Sequence, residues 1–88
     1  MELTLLTQEG CNPCERVKRI LAGLRAEGTP INVREVPFDS PEGLDLALAN
    51  SVLYPPAVFL DGRLLAKGRI HEEELRGALS GRREERLA

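Results

Sequence analysis

There is no tryptophan in this chain, and aromatic rings are confined to Phe38, Tyr54 and Phe59. A core here has to be assembled from leucine, valine, isoleucine and alanine. Nor is there an excess of positive charge: 12 Lys and Arg stand against 14 Asp and Glu, for a net charge of −2. That balance gives no reason to expect a nucleic-acid partner, whose recognition begins with a basic surface. No apolar run nears the roughly 18 residues that suggest a membrane span, so no membrane role is expected. The opening stretch, MELTLLTQEG, has neither a basic start nor an apolar run long enough for a secretory leader. The expected location is cytoplasmic. At 88 residues the chain is read as one domain, of a size that buries only about 60–65% of its unfolded surface.

What is present falls into alternating blocks. Leu3, Leu5 and Leu6 suggest a first strand of about five residues. Val17, Ile20, Leu21 and Leu24 recur at the spacing of an amphipathic helix, with Arg16, Lys18, Arg19 and Arg25 on its other face. Gly28 and Pro30 mark its stop. Ile31, Val33 and Val36 suggest a second strand, placed at a sheet edge because Pro37 has no N–H to donate. Ser40-Pro41 reads as an N-cap and first helical residue, and the helix runs to Asn50-Ser51, weakened by Gly43. Residues 57–60 form a third strand. Asp61-Gly62 is a strong hairpin signal, and residues 63–66 return as the fourth. A last helix runs from about Glu72 to Ser80, with His71 as an imperfect cap and Glu74 as the capping-box acid. The charged end, GRREERLA, is expected either to extend that helix or to be disordered.

The order is therefore β-α-β-α-β-β-α, an α/β domain over 1–80 with a charged tail over 81–88. Strand–helix alternation implies parallel pairing of the first three strands through crossover helices, with an antiparallel strand added by the hairpin. Helices should cover both faces of one four-stranded mixed sheet.

The chain has two cysteines, Cys11 and Cys14, in the stretch EGCNPCE, and a single histidine, His71. Three readings compete for the pair. Structural zinc takes four Cys or His ligands, more than one copy of this chain supplies, so a metal or iron–sulfur centre would need a second copy. Buried thiols that merely pack are common. The third reading is a dithiol that cycles through a disulfide. It fits the local sequence best, and in a reducing compartment a cysteine pair points to redox or metal chemistry before a structural staple. Asn12 is a good N-cap and Pro13 a good first helical residue. That arrangement leaves Cys11 just outside the helix N-terminus, where unpaired N–H groups and the positive dipole end favour its thiolate. Cys14 lies in the first turn, more covered, as the resolving thiol. Glu15 is placed as a capping-box acid.

A C-x-x-C that ends a first strand and opens a helix, in this order of elements, resembles the thioredoxin fold, and within it the glutaredoxin-type proteins, over about residues 2–80. The stretch YPPAVFLDG (residues 54–62) strengthens the likeness. It is similar to the segment in which a cis-proline opens the third strand of that family. By that match Gly10, Asn12 and Pro13 support the motif. Pro56 is the cis-proline, and Tyr54, Pro55 and Pro56 belong to the substrate-binding loop. Pro55 stands where the family usually has a valine with a free N–H. Lys67, Gly68 and Arg69 occupy the place of the glutathione-contacting segment, without its acidic residue.

The resemblance implies a thiol-disulfide oxidoreductase with Cys11 as nucleophile and Cys14 as resolving thiol. Its substrates would be protein or low-molecular-weight disulfides, and no metal or cofactor would be bound. Its reductant would be glutathione or an NADPH-dependent reductase, and it is expected to work as a monomer. The rival expectation is a binding or scaffold module whose cysteines are structural or hold a metal between two copies.

Overall fold

The computed structural model describes the backbone of residues 1–87 and side chains as far as Leu79. In chain order the elements are β1 (Glu2–Thr7), α1 (Asn12–Ala26), β2 (Asn32–Pro37), α2 (Pro41–Ala49), β3 (Ala57–Leu60), β4 (Arg63–Lys67) and α3 (Glu72–Leu87). The four strands make one sheet in the order β2-β1-β3-β4. The β-α-β-α-β-β-α order and mixed sheet are those the sequence predicts. The side chains of the charged segment 81–88 lie outside the described residues, and its backbone continues α3 to Leu87.

Local chemistry explains where the elements begin and stop. Gly28 adopts φ 99° just past α1, and the Thr29 N–H reaches back to the Leu24 carbonyl at 3.0 Å. This is the left-handed closure in which glycine pays no Cβ penalty. The Ser40 hydroxyl accepts the Gly43 N–H at 3.0 Å and caps α2, with Pro41 in its first turn. At the β3–β4 hairpin Asp61 and Gly62 both take positive φ, 50° and 86°, the combination that matches the twist of the flanking strands.

One expectation about pairing is overturned. β1 and β2 are parallel, but β3 runs antiparallel to β1, with Leu6 opposite Ala57 and Leu3 opposite Leu60. Pro37 and Ala57 therefore lie at the same end of the sheet, beside Thr7 and Leu6. The connection between them moves sideways past β1 instead of returning along it. α2, with nine residues, is only about 13 Å long at 1.5 Å per residue. Alternation of elements shows that a helix intervenes between two strands. It does not show whether that helix runs along the strands or across them.

Both faces of the sheet are covered. Leu3, Leu5, Val58 and Leu60 pack against Val17, Ile20, Leu21 and Leu24 of α1 and against Leu75 and Leu79 of α3. On the opposite face Leu6, Ala57 and Phe59 pack with Val36, Ala47 and Val52 under α2. β2 is an edge strand, as Pro37 requires. Gly43, expected only to weaken α2, has a packing role. A Cβ there would overlap the Pro37 carbonyl oxygen and come within 2.8 Å of the Phe38 carbonyl oxygen. Both are backbone atoms that cannot swing away. Gly43→Ala is expected to cost about 1–3 kcal/mol, the range for overpacking, despite alanine's better helix propensity. Urea unfolding should show a lower midpoint at an unchanged slope.

Charged side chains tie the helices together at the surface. Arg76 makes a two-pronged bond to Glu27 at 2.7 and 2.8 Å and another to Glu72 at 2.7 Å, joining α3 to the end of α1. Arg34 of β2 forks onto Glu42 of α2. These hydrogen bonds hold the Glu27 and Glu42 carboxyls below the ordinary glutamate value. A carboxyl depressed in the folded state stabilises above its unfolded pKa, and the contribution is lost as pH falls through the folded one. Stability should therefore drop below the ordinary glutamate range. The drop should be shallower in Glu27→Gln when urea midpoints at pH 7 and pH 3 are compared. The effect is small because both pairs face water.

Candidate active site

β1 ends at Thr7, and the chain turns through residues 8–10 into α1. Gly10 takes φ 72° in that turn, a left-handed conformation that glycine adopts without steric penalty. The turn closes with the Cys11 N–H donating to the Gln8 carbonyl at 3.3 Å. Cys11 is extended at φ −92°, ψ 102°, and its carbonyl accepts the Glu15 N–H at 3.1 Å. Cys11 is thus the N-cap of α1, in place of Asn12, the residue the sequence suggests for that role. Its sulfur accepts the Cys14 N–H at 3.1 Å, in the way a serine or aspartate oxygen would. With the cap one residue earlier, Glu15 is no longer at the capping-box position. It pairs instead with Lys18 at 2.8 Å, and Lys18 also meets Glu35 at 3.2 Å.

Cys11 and Cys14 are joined in a disulfide with Cα atoms 5.2 Å apart, a normal separation for the bond. The two residues differ in access. Cys14 is fully buried and Cys11 half-buried. The Cys11 sulfur therefore sits at the mouth of the helix N-terminus, where unpaired N–H groups and the helix dipole favour negative charge.

The residues between the cysteines face a second loop. Asn12 and Pro13, with Arg16 and Arg19 one and two turns along α1, form one wall of a groove of about 580 Å³. The other wall is made by residues 54–56 and 68–70. The Pro55–Pro56 peptide is cis, as the resemblance implies. Pro56 is buried beneath the groove while Tyr54 is exposed at its rim. Gly68 takes φ 73°, and a Cβ there would lie 3.3 Å from the Tyr54 hydroxyl. A side chain at position 68 would crowd the ring.

The sheet order, the disulfide at the start of α1 and the cis-proline at the start of β3 can be set against known proteins. The structure superposes on oxidised mitochondrial thioredoxin 3 of Saccharomyces cerevisiae with a TM-score of 0.66, at 21% sequence identity, over 91% of this chain and 76% of that one. It superposes on a malarial protein of known structure with a TM-score of 0.63, also at 21% identity, over 92% of this chain and 93% of that one. This is a thioredoxin-fold domain. No protein-family model matches the sequence, and no curated protein matches it.

Within the thioredoxin-fold domain, the sequence-predicted residues divide into two groups. Asn12, Pro13, Tyr54, Pro55, Pro56, Gly68 and Arg69 line one groove next to the disulfide. Lys67 does not join them. Its ammonium donates to the Ser51 carbonyl at 3.0 Å, bracing the loop after α2, and it borders an adjoining, smaller depression that shares Tyr54, Gly68 and Arg69 with the groove. His71 lies outside the groove, ahead of α3, where its carbonyl accepts the Leu75 N–H at 3.2 Å. Three groove residues were not anticipated: Ile70, and the pair Arg16 and Arg19, which the sequence assigns only to the polar face of α1. Their i, i+3 spacing places them on one face together. Only the tertiary fold shows that this face meets the cis-proline loop. Among the described residues no three His, Cys, Asp or Glu side chains gather as metal ligands, and no described helix is long and apolar enough to cross a membrane.

Proposed function

We propose that this thioredoxin-fold domain is a thiol-disulfide oxidoreductase, with residues 1–80 as the working unit and 81–88 as a charged tail. The observation that carries the reading is the unequal burial of a bonded cysteine pair at a helix N-terminus. Cys11 is half-buried and Cys14 is fully buried. In the reduced protein the Cys11 thiolate attacks a substrate disulfide. A mixed disulfide forms and the first substrate thiolate leaves, taking a proton from water. Cys14 then loses its proton and attacks the Cys11 sulfur. The second substrate thiol departs, and Cys11–Cys14 holds the two electrons' worth of oxidation. A thiol reductant, glutathione or a reductase drawing on NADPH, restores the pair by the same exchange in reverse.

Each neighbouring feature supports a step. The N-terminal dipole and the Cys14 N–H favour charge on the Cys11 sulfur. Glu9 and Glu15 oppose that charge, but Glu15 is tied to Lys18. Gly10, Asn12 and Pro13 shape the approach, and Tyr54, Pro55 and Pro56 form the wall against which a substrate lies. The reading needs no bound cofactor and suits a monomer in a reducing cytoplasm.

The test is equilibration in a series of glutathione redox buffers, then alkylation and intact mass. A two-electron transition between about −200 and −270 mV, the span of glutaredoxins and thioredoxin, is the expected result. A pair that stays in one state across the series would overturn the enzyme reading and favour a binding module whose cysteines are structural or hold a metal between two copies.

A further inference from the structure

The groove beside the disulfide has a charge opposite to that of the chain. The protein as a whole is acidic, with a net charge of −2. Arg16, Arg19 and Arg69 all line the groove, and no Asp or Glu does. Among the described residues Lys18, Arg34 and Arg76 are each paired with glutamates, while Arg25 and Arg63, away from the groove, are not. Arg16, Arg19 and Arg69 make no ion pair with any described residue. On the α3 side Glu72 and Glu73 share one depression with Arg16, and Glu72 shares another with Arg16 and Arg19, but Glu72 is already bonded to Arg76.

Resting on the oxidoreductase reading, we propose that Arg16, Arg19 and Arg69 select disulfides held in acidic, extended segments of protein substrates. A guanidinium presents a planar fork that fits a carboxylate with two parallel hydrogen bonds. The three forks come from both walls of the groove, so a chain laid between them meets charge on each side. Main-chain pairing gives less than it could. Pro55 has no N–H, so at that position the loop offers an extended substrate only its carbonyl. Side-chain charge must then carry more of the recognition. The rim adds apolar contact through the exposed ring of Tyr54. A zwitterionic tripeptide such as glutathione fits less well. Its ammonium group finds no acid among the groove residues, whereas an acidic protein segment carries no such cation.

The test uses the full chain and three disulfide-bonded peptides of one sequence, with glutamate, glutamine or lysine flanking the cysteines. Oxidised glutathione is a fourth substrate. At low salt kcat/KM should be about tenfold higher for the glutamate peptide than for the glutamine peptide, and lower again for the lysine peptide, because charge at a binding rim acts mainly on association. Raising salt should shrink the order. The Arg16→Gln, Arg19→Gln, Arg69→Gln triple variant should lose the ranking. Equal rates on the three peptides would overturn the inference while leaving the oxidoreductase reading intact. Faster turnover of oxidised glutathione than of the glutamate peptide would overturn the choice of a protein segment as occupant. No reduction of any substrate would overturn both.

Discussion

Cys11→Ser should abolish disulfide reduction, with a loss of at least about a thousandfold in kcat/KM toward a model protein disulfide. The side chain is the half-buried member of the pair and caps α1 with its sulfur. Serine keeps the cap, since a hydroxyl oxygen accepts a helix N–H well. Folding is therefore preserved, and the variant isolates the loss of the nucleophile. Cys14→Ser should behave differently. Its residue is fully buried behind Cys11, so it leaves the attacking sulfur in place and removes only the group that resolves the intermediate. That variant should accumulate a mixed disulfide with substrate, visible by intact mass as a covalent adduct absent from Cys11→Ser. If Cys14→Ser instead lost all attack on disulfides while Cys11→Ser trapped the adduct, the two roles would have to be exchanged.

The second large effect is structural. Phe59→Ala should cost about 3–5 kcal/mol, the range for truncating a buried aromatic. Phe59 is 1% exposed in the central strand β3 and is the largest side chain of the small cluster under α2. A domain of this size has roughly 4–13 kcal/mol of stability in all, so the variant should melt on the order of 20 °C lower or fail to fold. Leu48→Ala, in α2 at 81% exposure, is the matched control and should be nearly neutral. A Phe59→Ala protein that melted like the control would mean that the α2 face contributes little to the fold. Near-ultraviolet signals are weak in a chain without tryptophan, so far-ultraviolet circular dichroism is the readout of choice.

Much of this was legible in the chain because local chemistry decided it. Asp61-Gly62 could hardly be anything but a tight turn, and Ser40-Pro41 starts a helix by its own hydrogen bond and ring geometry. The apolar spacing of α1 named the face that is buried. The fate of each misjudged feature was settled between distant segments. The direction of β3 depends on how far α2 travels across the sheet. The identity of the α1 cap depends on whether sulfur or amide oxygen reaches the first-turn N–H, and Cys11 takes it. Gly43 looked like a weak helix residue because its close neighbours, Pro37 and Phe38, are brought over it by the turn out of β2. Arg16 and Arg19 looked like ordinary solvated charges until Arg69 and the cis-proline loop stood opposite them.

The edge position of β2 has a bearing on self-association. An open strand edge is a template for unwanted pairing between molecules. Along β2 that template is spoiled twice, by Pro37, which offers no donor, and by the exposed charges of Arg34 and Glu35. A second copy arriving there would have to bury or displace the Arg34–Glu42 fork as well. At the opposite edge β4 is short and carries Arg63 and Lys67, both exposed, at its two ends. Extended chains are thus discouraged from growing on either side of the sheet, and a crowded solution of this protein has that much less tendency to form ordered aggregates.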